Sequence, residues 1–199
     1  MPNRLPTEAR QAEIVAAALR LACENSPPLI TTADIAAAVG ISQGAVFKHF
    51  ASKDAIWLAA MAWVQARLLV VLAEAAEGHA RELDAMQAMF EAHIAFVTNH
   101  PGVPRLIFHE LMHPADSPVK REVRALLQTY RQRLLQRLAA AEQQGELRAG
   151  TDHNAAATSF VGLVQGLVMQ AMATGAVAGM AAQAGAVFAL YRRGLSEAP

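Results

Sequence analysis

Residues His109, Glu110, Leu111, Met112 and His113 spell His-Glu-x-x-His. On a helix that spacing sets two imidazoles one turn apart, able to bind zinc, with the glutamate placed as a base. Pro114 follows at once, so a helix carrying both imidazoles stops there. Val119 stands where the extended metalloprotease pattern has its third histidine. A metal-sensing site on His109 and His113, joined by His93, and a zinc hydrolase stay open as alternatives. The first reading is ordinary, partly buried histidines, with no catalytic residue, no cofactor and no enzymatic activity expected.

A different chemistry is legible in TTADIAAAVGISQGAVFKHFASKDAI, residues 31–56. Thr31 or Thr32 can cap a short helix, with Asp34 favourable in its first turn. Ile35, Ala36 and Val39 recur at helical spacing, and Gly40 suits a left-handed stop. Ser42 can cap the next helix, in which Val46 and Phe50 lie one turn apart and face inward. Gln43, Gly44, Ala45, Phe47 and Lys48 are left outward, with His49 on the flank. Gln43 carries an amide that matches an adenine edge, Ala45 is small enough for close groove approach, and Phe47 can touch a thymine methyl. Lys48, His49 and Lys53 can meet phosphates, as can the free N–H groups at helix starts. The pattern predicts a helix-turn-helix over 31–50 with its recognition helix at 43–50.

These residues resemble the TetR family of bacterial transcriptional regulators. The likeness lies in the threonine, Ile35-Ala36, the Gly40-Ile41-Ser42 turn, Gly44, the aromatic Phe47, His49-Phe50 and Ser52-Lys53. It covers about the first quarter of the chain. The resemblance implies backbone contacts from Thr32, Lys48, His49 and Lys53, groove contacts from Gln43, Ala45 and Phe47, and repression as the sign of regulation. The family usually has tyrosine where this chain has Phe47, which removes one hydroxyl bond to phosphate.

These side chains need a scaffold, and the chain reads as helix throughout. Alanine, leucine, arginine and glutamine dominate, and alternating β-branched runs are absent. Breakers predict helices at 7–25, 32–39, 43–50, 53–76, 83–98, 102–112, 117–144, 153–174 and 180–195. The expected fold is all-α: a three-helix helix-turn-helix domain over 1–56, then an effector-binding and dimerisation domain over 57–199, about nine helices in all. Lysine plus arginine equals aspartate plus glutamate, 17 each in 199 residues, so no global field points to nucleic acid or membrane. The single Cys23 excludes an internal disulfide and fits a reducing cytosol. The N-terminus lacks an apolar run, so no signal peptide is expected and the reading is cytoplasmic.

Residues 154–191 contain no Asp, Glu, Lys or Arg. A bilayer hairpin is the competing reading, but polar side chains interrupt the run, and no membrane partner is expected. Uncharged helices in a soluble chain must be buried all round, which a two-fold dimer achieves as a four-helix bundle. Gly162, Gly166, Met169, Ala173, Ala182, Gly185 and Ala189 mark the expected homodimer seam. The arginine-rich face of 117–138 reads as solvated, opposite a core stripe that includes Tyr130. A small apolar or amphipathic effector is expected among Met89, Phe90, His93, Phe96, Phe108, Met112, Tyr130, Phe160 and Gln165, since methionines, aromatics and a few polar tips suit such a ligand. A plain core would use the same residues. The resulting reading is a dimeric regulator on double-stranded operator DNA, released by a small molecule.

Overall fold

Apolar spacing of three and four residues recurs along the chain, and the computed structural model answers it with α-helices. It describes residues 6–177 and 179–196. The first five residues, Ala178 and the last three, which the expected domain ranges include, lie outside the described residues. Among those described there are nine α-helices: α1 Thr7–Leu21, α2 Thr32–Val39, α3 Gln43–Val46, α4 Lys53–Ala75, α5 Glu82–Asn99, α6 Gly102–Met112, α7 Pro118–Gln143, α8 His153–Thr174 and α9 Gly179–Leu195. A 3₁₀ turn, Pro27–Leu29, joins α1 to α2. The chain is all-α, as the periodicity requires.

Two expected boundaries move. The first helix ends at Leu21 rather than at residue 25, and Ala22, Cys23 and Glu24 continue in turns that lead to Pro27. The expected helix 43–50 is α-helical only over Gln43–Val46. Beyond it the coil tightens: Lys48 N–H donates to Ala45 at 3.2 Å and His49 N–H to Val46 at 2.9 Å, both across three residues. The chain must leave the helix there because Ser52 opens α4, its hydroxyl accepting from Ala55 N–H at 3.1 Å.

The chain divides into two compact units. The first joins the residues up to Ala66 with His100–Ala125. Its core takes Ile14, Ala18 and Leu19 from α1, Ile35 from α2, Val46 and Phe50 from the α3 segment, and Ile56, Trp57 and Met61 from α4. Val103 and Leu106 of α6 are buried in the same unit.

The second unit joins Arg67–Asn99 with the chain from Leu126 onward. Here α9 packs on α5 and α8, and α5 on α8. Phe90, Phe160 and Phe188 are fully buried. Phe160 meets Phe90 edge-on at 5.4 Å between ring centres, and Tyr191 at 5.8 Å. Tyr191 donates its hydroxyl to the Ala156 carbonyl at 3.0 Å. Glu146, from the turn after α7, is buried and caps α5: its carboxylate accepts from Glu82 N–H at 2.7 Å and Leu83 N–H at 3.1 Å. Asp152 caps α8 through Asn154 and Ala155 N–H. Helices α4 and α8 are long and apolar enough to cross a bilayer, yet α8 buries Ala157, Phe160, Val164, Leu167 and Val168 within the protein.

Candidate nucleic-acid interface

Local chemistry builds the 31–50 segment. Thr31 is the cap of α2, and its hydroxyl accepts from Asp34 N–H at 3.1 Å. The Asp34 carboxylate accepts from Thr31 N–H at 2.8 Å and from the Thr31 hydroxyl at 2.7 Å, closing a reciprocal capping box. Those bonds, the backbone one first, hold the Asp34 carboxyl below its ordinary range. Gly40 ends α2 at φ 75°, a left-handed conformation that favours glycine, and Ile41 N–H returns to the Ala36 carbonyl at 3.0 Å. Ser42 then caps α3 by accepting from Ala45 N–H at 3.2 Å.

Val46 and Phe50 anchor this segment in the core, which turns the other face outward. Gln43, Gly44, Phe47 and Lys48 are exposed, Phe47 by 48%. Ala45 and His49 are half-buried. Gly44 has nothing within 4 Å of where a Cβ would stand, so its own chain does not demand a glycine there. The bare backbone is free for a close partner. Gln43 donates its amide to the Thr32 hydroxyl at 2.7 Å, joining α2 to α3 through two of the expected contact residues. His49 is positioned by its carbonyl, which accepts from Gln11 of α1 at 3.1 Å, while its buried Nδ1 has no partner among the described residues. Lys53 donates to the Pro28 carbonyl at 2.9 Å. Lys48 makes no ion pair among the described residues.

The His-Glu-x-x-His string takes a different shape. Helix α6 ends at Met112, and His113 is already extended at φ −70° and ψ 129°. His113 N–H still donates to the His109 carbonyl at 3.0 Å, and the two rings lie 6.0 Å apart at 55°. Glu110 accepts from the Ser117 hydroxyl at 2.5 Å. Among the described residues no group of three or more His, Cys, Asp or Glu side chains could hold a metal ion.

The residues expected around an effector divide between the units. Met89, Phe90, Phe96, Tyr130 and Phe160 are buried in the second unit, where Gln165 is half-buried. In the first unit Phe108 is half-buried, whereas Met112, expected to face inward, is 84% exposed because it is the last residue of α6. Tyr130 and Phe160 meet edge-on at 6.1 Å between ring centres. Met89 alone of the set lines the largely open cleft of about 400 Å³ that α4, α5 and α7 form within the second unit.

His93 contacts the Tyr130 hydroxyl through Nδ1 at 3.2 Å, and burial pushes its pKa down from 6.5 to about 4. The sign follows directly. As pH falls, the unfolded chain takes up this proton first, so the native state loses stability. The contribution is complete above pH 6.5 and is lost as pH falls toward about 4. It is on the order of 3 kcal/mol, an upper figure because the residue keeps some surface. Urea unfolding at pH 7 and pH 4.5 should therefore show a smaller acid loss for His93→Gln than for the natural chain.

On the uncharged helices, Gly162, Met169, Ala173 and Ala182 are exposed, and Gly166, Gly185 and Ala189 are half-buried. Gly162 and Gly166 have nothing within 4 Å of a Cβ position, whereas a Cβ at Gly185 would stand 3.9 Å from a Glu91 carboxylate oxygen of its own chain. Leu190, which sequence reasoning missed, is 63% exposed beside them. Together with Leu163 and Gly194 it lines an open groove of about 660 Å³ along α8 and α9. Its signal was its place in the charge-free run.

Residues 14–60 match the family model described as bacterial regulatory proteins, tetR family, and residues 112–187 match that of the tetracyclin repressor-like C-terminal domain. The chain is 23% identical over 171 residues to the nucleoid occlusion factor SlmA of Photobacterium profundum, spanning 83% of this chain and 85% of that protein. Its fold matches the fatty acid degradation regulator FadR of Bacillus halodurans with a TM-score of 0.83 at 15% identity, over 96% of this chain and 97% of that one. A regulator from Saccharomonospora viridis solved in complex with choline matches with a TM-score of 0.82 at 18% identity, over 96% and 100% of the two chains.

Proposed function

Because the chain belongs to the tetR family of bacterial regulatory proteins and is a DNA-binding transcriptional regulator, we propose that it acts as a homodimeric repressor released from its operator by a small ligand. The observation that carries the DNA contact is the outward face of the α3 segment. An amide, a bare backbone, an aromatic ring and a cation stand there in sequence, and none is needed by the core. Two such faces about 34–36 Å apart would enter successive major grooves of a near-palindromic site. Gln43 is the reader in this scheme, meeting a base edge. Lys48 and His49 hold phosphate, and Thr32, Ser42 and Lys53 set the register. Lys53 would have to leave the Pro28 carbonyl to do so. Regulation rather than catalysis is the activity assigned, with the cytosol as its place.

The seam of the dimer is assigned to Gly162, Gly166, Met169, Ala173 and Ala182, whose small or flexible side chains leave room for a second copy. Gly185 and Ala189 border it. The effector acts by population shift: a ligand that favours the DNA-incompetent state releases the operator. Moving a 1:99 balance to 99:1 takes about 5.5 kcal/mol of differential binding.

Selection of bound sequences from random DNA tests the proposal. An enriched inverted repeat is the expected result, and no enrichment would remove sequence-specific binding. On the selected operator, Gln43→Ala should lose about 1–3 kcal/mol of base discrimination. Lys48→Ala should weaken all sequences alike and reduce the salt slope by about one. Isotherms on matched and mismatched sites across salt separate the two roles.

A further inference from the structure

We propose that Thr32 sets which base Gln43 reads: its hydroxyl, anchored on a phosphate, holds the Gln43 amide in the orientation that accepts adenine and refuses guanine. This rests on the reading above, in which Thr32 meets the DNA backbone and Gln43 a base edge, and adds the coupling between them.

The chain carries two consecutive threonines whose hydroxyls are committed differently. The Thr31 hydroxyl is used up in the cap of α2, donating to the Asp34 carboxylate at 2.7 Å and accepting from Asp34 N–H at 3.1 Å. The Thr32 hydroxyl oxygen instead accepts from Gln43 Nε2 at 2.7 Å, from one helix to the next. Both ends of that bond are held. Ile35 of α2 and Val46 of α3 are fully buried, and Gly40 closes the turn between the two helices. Gln43 is exposed and Thr32 half-buried, so a partner can reach both.

Hydrogen-bond polarity then runs one way. A phosphate oxygen accepts, so a hydroxyl that meets it must donate its single hydrogen there. Thr32 is left with lone pairs on the Gln43 side, and only the N–H side of the amide can face them. The flipped amide would set its carbonyl oxygen against the hydroxyl oxygen. A side-chain amide has two N–H donors and one carbonyl. With one N–H on Thr32, Gln43 offers the duplex one donor beside one acceptor. Adenine's major-groove edge, the N7 acceptor beside the N6 donor, matches both. Guanine presents two acceptors, N7 and O6, and leaves the Gln43 carbonyl facing O6. Without the Thr32 hydroxyl the amide turns freely about its last torsion and can donate to either guanine acceptor.

The selected operator tests this. The base that Gln43 contacts is the one whose preference disappears in Gln43→Ala, and it should be adenine. There the natural chain should prefer adenine to guanine by about 5- to 150-fold. Thr32→Val keeps the branched shape and removes the hydroxyl, while Thr31 and its cap stay intact. It should bind every site more weakly through the lost phosphate contact, and its adenine preference should fall below about threefold. Thr32→Ser should restore both. Adding Thr32→Val to Gln43→Ala should change the preference no further. Thermal unfolding checks that each variant folds. The coupling is overturned if Thr32→Val weakens adenine and guanine sites by the same factor, if Thr32→Ser fails to restore the preference, or if the preferred base is not adenine. An unchanged ratio in Thr32→Val beside a clear Gln43→Ala effect removes the coupling and keeps the reader. No Gln43→Ala effect removes the reader, and no enriched sequence removes specific binding; either result takes the coupling with it.

Discussion

A Gly166→Glu protein is expected to fold, to run as a monomer and to lose tight operator binding. Within one chain the substitution meets no obstacle, because nothing lies within 4 Å of the Cβ position. The residue sits on α8 in the stretch without Asp, Glu, Lys or Arg, so an added carboxylate finds no cation along that stretch. In a two-fold dimer each copy would bury this carboxylate close to its symmetry mate. A buried charge without a partner costs about 3–5 kcal/mol, more than the stability that a groove of exposed alanines and a few larger side chains can spare. A monomer holds one half-site only, and losing the effective concentration of the second lowers affinity by about 10²–10⁴. Light scattering, circular dichroism and operator titration should together show a helical monomer with weak binding. A folded dimer with normal affinity would move the seam away from Gly166.

The helix-turn-helix was legible because its signals are local. Thr31 with Asp34, Gly40, and Ser42 with Ala45 each act across three or four residues, and each does in the structure what its type predicts. Helix periods were legible for the same reason. The end of the recognition helix was not, since Val46 and Phe50 stay inward whether the turns between them close across three residues or four. What escaped the sequence acts over long separations. Glu146 caps α5 from 63 and 64 residues away, and nothing in its neighbourhood marks it as a cap.

Phe90, Tyr130 and Phe160 read equally as pocket lining or as core, because apolar periodicity reports only which face is inward. In the structure their rings pack edge-on against one another. The cleft opens instead beside Leu72 and Arg133, whose stripes the sequence could only assign to an inner and a solvated face. Arg121, Arg124 and Arg131 of α7 are exposed, as a solvated face requires, and pair at the surface: Arg121 and Arg124 share Asp116, and Arg131 reaches Asn154.

Gly102→Ala is expected to destabilise the first unit by about 3 kcal/mol or more, although alanine in a helix is ordinarily favoured over glycine by about 1 kcal/mol. Gly102 opens α6, and a Cβ there would stand 2.0 Å from the Leu19 carbonyl oxygen and 3.1 Å from its carbon. Both are backbone atoms of α1, so no side-chain rotation relieves the clash; one helix must retreat from the other. The retreat would disturb Ile14, Ala18 and Leu19, which share a core with Ile35 and Val46 beneath the recognition segment. At about 2–4 °C per kcal/mol for a chain of this size, the melting point should fall by roughly 6–12 °C. Gly44→Ala supplies the contrast. Its Cβ meets nothing within 4 Å, so stability should hold or rise while operator affinity falls. Thermal unfolding and operator titration on the two variants should therefore give opposite patterns: Gly102 is held to glycine by α1, whereas the demand for glycine at Gly44 is expected from the proposed DNA contact. Equal melting points for Gly102→Ala and the natural chain would show that α1 and α6 do not meet as closely as described.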